Sequence, residues 1–298
     1  MYTVKPHKPI HFVVYLCKIC LTNQKKDAIL LTSNQRNEET KMKNLKKILA
    51  LTLAILFVFS LAACGKSNSL TVTEGKLTMA TNASFPPYEY YDGDNIVGID
   101  AEIAGLIADK LGLELEIADV EFGSIIPGVQ NGKYDMGMAG MTVTKEREEM
   151  VNFSDSYAKG VQVVIVKADS AITSIDDLEG KKIGVQEATT GDIYASDTPK
   201  NGGFGEENVT KYANGNLAVE GLKAGKVDCV IIDNEPAKAY VKANEGLKIL
   251  DTSYTDEDYA IAFNKDNTEL QKKVNDALKE LIADGSVAKI VNKYIPAE

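Results

Sequence analysis

Between Leu77 and Phe263 the chain alternates short apolar runs with segments whose apolar residues recur every three or four positions. Runs of five to seven residues suit buried strands, and the three-to-four spacing suits helices packed over them. α/β architectures are the ones that bury such an alternation. The strand-like runs are Leu77–Thr81, Glu114–Ala118, Asp135–Gly140, Val161–Lys167, Lys181–Gln186, Val227–Asp233 and Tyr259–Phe263. The helix-like segments are Gly98–Leu111, Gly123–Asn131, a start at Thr190, Gly215–Ala224, Glu235–Asn244 and two closing helices within Asn267–Tyr294. Asn82–Asp94 reads as a loop.

One stretch, Gly132–Asp155 (GKYDMGMAGMTVTKEREEMVNFSD), concentrates the candidate chemistry. Its apolar run suits a buried strand that ends at Met141 and Thr142, and a polar turn then leads to Arg147. In open α/β sheets ligands bind beyond the carboxyl ends of the strands. Exposed backbone, a hydroxyl and a guanidinium there make a candidate carboxylate corner. Arg147 also sits among Glu146, Glu148 and Glu149, and from this turn alone a solvated ion-pair role reads at least as well. The junction recurs 93 residues on, where Gly225-Lys226-Val227-Asp228 echoes Gly132-Lys133-Tyr134-Asp135. In both, Gly suits the left-handed stop of a helix. Any helix-to-strand junction favours Gly-Lys, yet the echo points to two similar lobes that offer strand ends to one cleft. Gly140–Thr142 would come from the first and Asp233 from the second.

Residues 1–41 hold Cys17-Lys18-Ile19-Cys20 and the only two histidines, His7 and His11. The spacing fits no zinc finger, and no second CxxC exists. Met42 reads as the true start and residues 1–41 as an over-long gene-model extension. From Met42, a basic Lys43, Lys46 and Lys47 precede the 16-residue apolar run Ile48–Ala63. A membrane span needs about 20 residues, so this is a signal peptide, 42–63. It ends Leu61-Ala62-Ala63-Cys64, which resembles the bacterial lipoprotein signal, whose cysteine is lipidated and becomes the amino terminus. An ordinary secretory signal with a chance cysteine is the alternative. Residues 64–74 are then the lipidated Cys64 and a small-residue linker that leaves a domain free to move.

Of the 33 basic and 43 acidic residues, ten and three lie in residues 1–63, so residues 64–298 hold 23 and 40, a net charge of −17. Nucleic acid and anionic lipid demand a basic face, so neither is the expected partner. Only Cys229 remains besides Cys64, which excludes a disulfide framework. With no histidine after residue 63, Ser-His-Asp and Cys-His mechanisms are excluded, and a zinc site has almost no ligands. No metal or cofactor is expected.

The segments TNASFPPYEYYDGDNIVGIDAEIAGLIADKLG, EFGSIIPGVQNGKYDMGMAGMTVTKERE, VNFSDSYAKG, KKIGVQEATTG and VDCVIIDNEPA resemble the amino-acid-binding extracellular solute-binding proteins of family 3, receptors of ABC importers. The resemblance runs from about Lys76 to the carboxyl terminus. It implies a type II periplasmic-binding-protein-like fold, two α/β lobes joined by two crossover strands and closing like a hinge. Lobe 1 would be 75–160 plus 258–298, and lobe 2 would be 161–257. The protein would be a non-enzymatic monomer on the extracellular face of the cytoplasmic membrane. A lipid anchor would hold it there while it delivers a free polar or basic L-amino acid to an ABC transporter permease.

The resemblance also implies the site. Arg147 holds the ligand α-carboxylate, for which a guanidinium offers a planar two-donor fork. Thr142 donates to the same carboxylate, beside Met141, and the Gly140 carbonyl accepts from the α-amino group. Thr190 is a backbone donor from a helix amino terminus in lobe 2. Asp233 takes the α-ammonium, with helix capping ahead of Pro236 as its alternative role. Phe85 and Phe122 wall the ligand side chain, and Asn82 and Gln186 tune selectivity. Asn82 departs from the Asp often found there. The same fold hosts cyclohexadienyl (prephenate or arogenate) dehydratases, so an enzyme is one alternative and a surface sensor or adhesin module another.

Overall fold

The computed structural model describes residues 69–251 and 255–296. The expected extension 1–41, the expected signal peptide 42–63 and Cys64 lie outside the described residues. In chain order the elements begin with β1 (Lys76–Thr81), β2 (Ser84–Phe85), β3 (Glu89–Asp92), β4 (Asn95–Val97), α1 (Ile99–Leu111), β5 (Glu114–Asp119) and α2 (Phe122–Gln130). Next come β6 (Met136–Gly137), α3 (Lys145–Met150), β7 (Asn152–Phe153), β8 (Ala158–Lys167), β9 (Ile183–Gln186) and α4 (Thr190–Ser196). The remainder is β10 (Val209–Tyr212), α5 (Gly215–Lys223), β11 (Cys229–Asp233), α6 (Asn234–Ala243), β12 (Leu247–Ile249), β13 (Thr255–Tyr259), β14 (Ala262–Phe263), α7 (Thr268–Ala283) and α8 (Ser286–Tyr294).

Two sheets organise these elements. The first runs β5-β1-β6-β14-β7, and the second runs β10-β9-β11-β8-β12 with β13 also on β8. The parallel pairs β1–β5 and β1–β6 have their counterpart in β9–β10 and β9–β11. This is the mixed α/β, two-lobe fold of type II. Ten-residue β8 and the segment through β13 and β14 carry the chain between the sheets, and β8 and β13 pair antiparallel where they cross.

The repeated junction has a physical cause. Gly132 and Gly225 follow helices α2 and α5 with φ of 66° and 70°, the left-handed stop. Asp135 then accepts from the Thr78 N–H at 2.7 Å, and Asp228 accepts from the Lys182 N–H at 2.9 Å. In each lobe the aspartate therefore pins the neighbouring parallel strand. Cys229 is a wholly buried core residue of β11.

Several elements differ from what the sequence predicts. The run Asp135–Gly140 yields only the two-residue β6, and the chain then turns at Gly140, φ 50°. Tyr259–Phe263 is not one strand: β13 ends at Tyr259 on the second sheet, and β14 begins at Ala262 on the first. The expected loop Asn82–Asp94 contains most of a small antiparallel sheet, β2-β3-β4. Part of the expected linker is held down too. The Val72 N–H donates to Asp135, and Asn267 Nδ2 donates to the Leu70 carbonyl.

Candidate functional site

Arg147 is 4% exposed, whereas Glu146, Glu148 and Glu149 beside it are exposed. The short helix α3 aims it inward: the Thr144 hydroxyl caps α3 by accepting from the Arg147 N–H. Its guanidinium stacks 5.3 Å above the Phe122 ring. Nη1 donates to the Thr142 carbonyl at 2.7 Å, and Nη2 donates across the cleft to the Ala188 carbonyl at 3.1 Å. Ala188 has φ 64°, rare for a residue with a Cβ, and Asp192 accepts from its N–H. Burial lowers the Arg147 pKa, opposed by the carboxylates of Glu257 and Asp233. A guanidinium stays protonated even so. The solvated ion-pair role is thereby excluded.

Gly140 approaches the same corner. Its N–H donates to Asp100 Oδ2 at 2.9 Å, and a Cβ there would lie 2.7 Å from the Phe85 ring. The Thr142 hydroxyl is occupied, donating to Glu257 Oε2 at 2.9 Å. Met141 lies elsewhere than expected. Its side chain is wholly buried with Phe122, Ile125 and Ala139 in the core, and its carbonyl accepts from the Ala260 N–H. An unbranched apolar chain fills that core gap.

From the second lobe come Gln186, Thr189, Thr190 and Asp233. Asp233 sits at the amino-terminal cap of α6, yet its side chain caps nothing. It accepts instead from the Tyr259 hydroxyl on β13. Burial pushes its carboxyl up to about 8, helped by the nearby Glu257 and opposed by Tyr259. Gln162 on β8 donates to both Thr190 Oγ1 and Glu257 Oε2. The two crossing strands thus carry a buried polar network that touches the pocket-lining Thr142, Thr190 and Asp233.

These residues close on one pocket lined by Asn82, Phe85, Glu89, Phe122, Gly140, Thr142, Arg147, Gln186, Thr190 and Asp233. Gln186 Nε2 donates to Asn82 Oδ1 at 3.0 Å, and the Tyr240 hydroxyl donates to the Ser84 carbonyl. The cavity is about 10 Å³, roughly one water molecule's worth, so a larger ligand enters only when the lobes part.

Glu89 was not expected. It is 1% exposed on β3, opposite Phe85, and no N–H or hydroxyl donor reaches either of its carboxyl oxygens. Burial raises its pKa well above the ordinary value, and the adjacent Asp100 adds to this. The only signal was its position between Tyr88 and Tyr90, where the pairing with Phe85 turns it inward.

Residues 77–297 match the family model of the bacterial extracellular solute-binding proteins, family 3. The chain belongs to that family. Similar proteins include the arginine-binding extracellular protein ArtP of Bacillus subtilis (strain 168), 37% identical over 258 residues, covering 85% of this chain and all of ArtP. A probable histidine-binding protein of Neisseria gonorrhoeae is 32% identical over 270 residues, covering 86% and 97%. Among solved structures, an ancestral arginine-binding protein bound to glutamine is 40% identical with TM-score 0.70, covering 76% of this chain and 100% of that one. The arginine-, lysine-, histidine-binding protein ArtJ from Geobacillus stearothermophilus is 34% identical with TM-score 0.70, covering 75% and 96%. The family is one of solute-binding proteins and these relatives are named for the amino acids they bind, which favours neither the dehydratase nor the sensor or adhesin alternative. No helix among the described residues is long and apolar enough to cross a membrane.

Proposed function

We propose that this solute-binding protein captures an L-amino acid with a basic or polar side chain and presents it to an ABC transporter permease. Arg147 takes the α-carboxylate and Asp233 the α-ammonium, with Gly140, Thr142 and Thr190 completing the backbone contacts. Phe85 and Phe122 hold the side chain, beside Asn82 and Gln186. A lipid on Cys64 keeps the protein at the outer face of the cytoplasmic membrane.

The observation that carries the ligand class is Glu89. A buried carboxyl with no donor on either oxygen costs several kcal/mol when ionised, unless a cation meets it. A guanidinium or ammonium at the end of a ligand side chain is such a cation. The acids acting most on Arg147 are Glu257 and Asp233, whereas Glu89 lies with Asp100. A zwitterion held by Arg147 and Asp233 therefore leaves Glu89 free for the side chain. A thermal-shift screen of the twenty amino acids tests this reading. Arginine, lysine or histidine at a thousandfold excess over Kd should stabilise by about 4 kcal/mol, on the order of 10 °C in Tm. A screen in which no amino acid with a basic or polar side chain raises Tm overturns it.

A further inference from the structure

Asp100 is 0% exposed at the start of α1 and does not line the pocket. Its Oδ2 accepts from the Gly140 N–H and the Tyr157 hydroxyl, both at 2.9 Å. Its Oδ1 receives no N–H or hydroxyl, and neither does either oxygen of Glu89. The Asp100 N–H donates to the Tyr88 carbonyl at 2.9 Å, which brings its carboxyl beside that of Glu89, the residue after Tyr88, and two buried carboxyls so close need a proton on one of them. Asp233 on β11 and Asp119 at the end of β5 also act on Glu89, again acids, and the cation that lines its pocket, Arg147, donates instead to the Thr142 and Ala188 carbonyls. Tyr88, Tyr157 and Tyr240 face Glu89 with neutral hydroxyls. Two buried carboxylates in contact, without a cation, do not both ionise.

We propose that Asp100, which touches no ligand, is a specificity-determining residue: it and Glu89 hold one proton between them for a neutral ligand side chain, and a cationic side chain displaces it. The exchange balances. One positive charge enters beside Glu89, and one proton leaves to water, so the buried charge is unchanged. With the proton held between the two carboxyls, Glu89 turns a neutral carbonyl oxygen to the pocket, which suits the N–H of a carboxamide or ureido group. Without it, the carboxylate suits a guanidinium. Burial pushes Asp100 up to about 7 and Glu89 well above its ordinary range, consistent with a proton resident on the pair at neutral pH. Affinity for a cationic ligand then rises with pH, while affinity for its neutral isostere does not follow.

This inference rests on the proposed ligand class, and one experiment separates the two. Calorimetry of the purified protein at pH 6.5, in two buffers of different ionisation enthalpy, counts the protons released on binding arginine and its neutral analogue citrulline. The Asp233 carboxyl contributes equally to both counts, because both ligands carry an α-ammonium. Arginine should release about one proton more than citrulline, and its affinity relative to citrulline should rise about tenfold per pH unit below neutrality. In Asp100→Asn the carboxamide still accepts from Gly140 and Tyr157 but donates an N–H to Glu89, which removes the neighbouring acid and favours the ionised form of Glu89 before ligand arrives. The extra proton should fall below about one third, and the pH dependence of the ratio should flatten. If citrulline does not bind, the arginine count of the wild type minus that of Asp100→Asn supplies the same number. Equal counts overturn the inference and leave the ligand class standing. If arginine gives no heat while a neutral amino acid does, the ligand class fails and the inference falls with it.

Discussion

The Tyr259 hydroxyl, on the strand that returns the chain from one lobe to the other, donates to the Asp233 carboxylate at the carboxyl end of β11. The contact fixes a pocket-lining acid of the second lobe against a crossover strand. It also leaves that acid in a dry site with Glu257 close by, which sets its titration.

Asp233 titrates at about 8 and Asp100 at about 7, against about 3.9 for an unfolded aspartate. The folded chain therefore binds more protons than the unfolded one between pH 4 and 8. The resulting stabilisation is complete below pH 4 and is lost as pH rises through 7 to 8. The Tm of the ligand-free protein should fall by several degrees from pH 5 to pH 8. Asp233→Asn should flatten part of that slope, and saturating amino acid, whose ammonium compensates the carboxylate, should do the same. A Tm profile of Asp233→Asn that runs parallel to wild type would sink the assignment.

Gly140 joins a positive φ to a close approach. A Cβ there would sit 2.7 Å from the Phe85 ring, with φ at 50°. Gly140→Ala should cost about 1–3 kcal/mol in chemical denaturation, because ring and backbone must both shift, and should weaken ligand binding by at least about tenfold. Gly132→Ala is the matched control, with φ 66° and open space around the added methyl. It should cost about 1 kcal/mol and leave affinity unchanged. If both variants lower affinity alike, strain alone accounts for the effect and the packing on Phe85 is irrelevant.

What could be read in advance was whatever repeats along the chain. Helix α1 was legible because Ile103, Leu106, Ile107 and Leu111 recur at helical spacing, and the paired Gly-Lys-x-Asp junctions announced two related lobes. The β2-β3-β4 sheet was not legible, since strands of two to four residues are too short to show a period. Glu89 was hidden for a different reason. A lone glutamate reads as solvated, and only the cross-strand register with Phe85 turns it inward. Arg147 stood between two readings until its burial separated it from three exposed neighbours. Glu257 and Gln162 could not be anticipated, because their role arises only where β8 and β13 cross.

Membrane attachment is tested at the other end of the chain. Cys64→Ser should release the protein from membranes into the medium and abolish labelling by a fatty-acid probe. Unchanged retention and labelling in that variant would remove the case for a lipid anchor.

The central expectation concerns the two ends of a zwitterion. Arg147 and Asp233 face one pocket from opposite lobes, and both are more than nine-tenths buried. An amino acid enclosed between them has both charges desolvated when the lobes close. Deleting either partner leaves a buried ligand charge unpaired, at about 3–5 kcal/mol, or about two to three and a half decades of affinity. Arg147→Ala and Asp233→Ala should therefore each abolish measurable binding in calorimetry at ordinary concentrations, while far-UV circular dichroism stays native. Arg147→Lys should recover only part of the affinity, because an ammonium lacks the two-pronged geometry and cannot stack on Phe122 in the same way. Glu149→Ala, an exposed neighbour on α3, should change affinity by well under a decade. Arg147→Ala binding its amino acid within threefold of wild type would place the carboxylate site elsewhere.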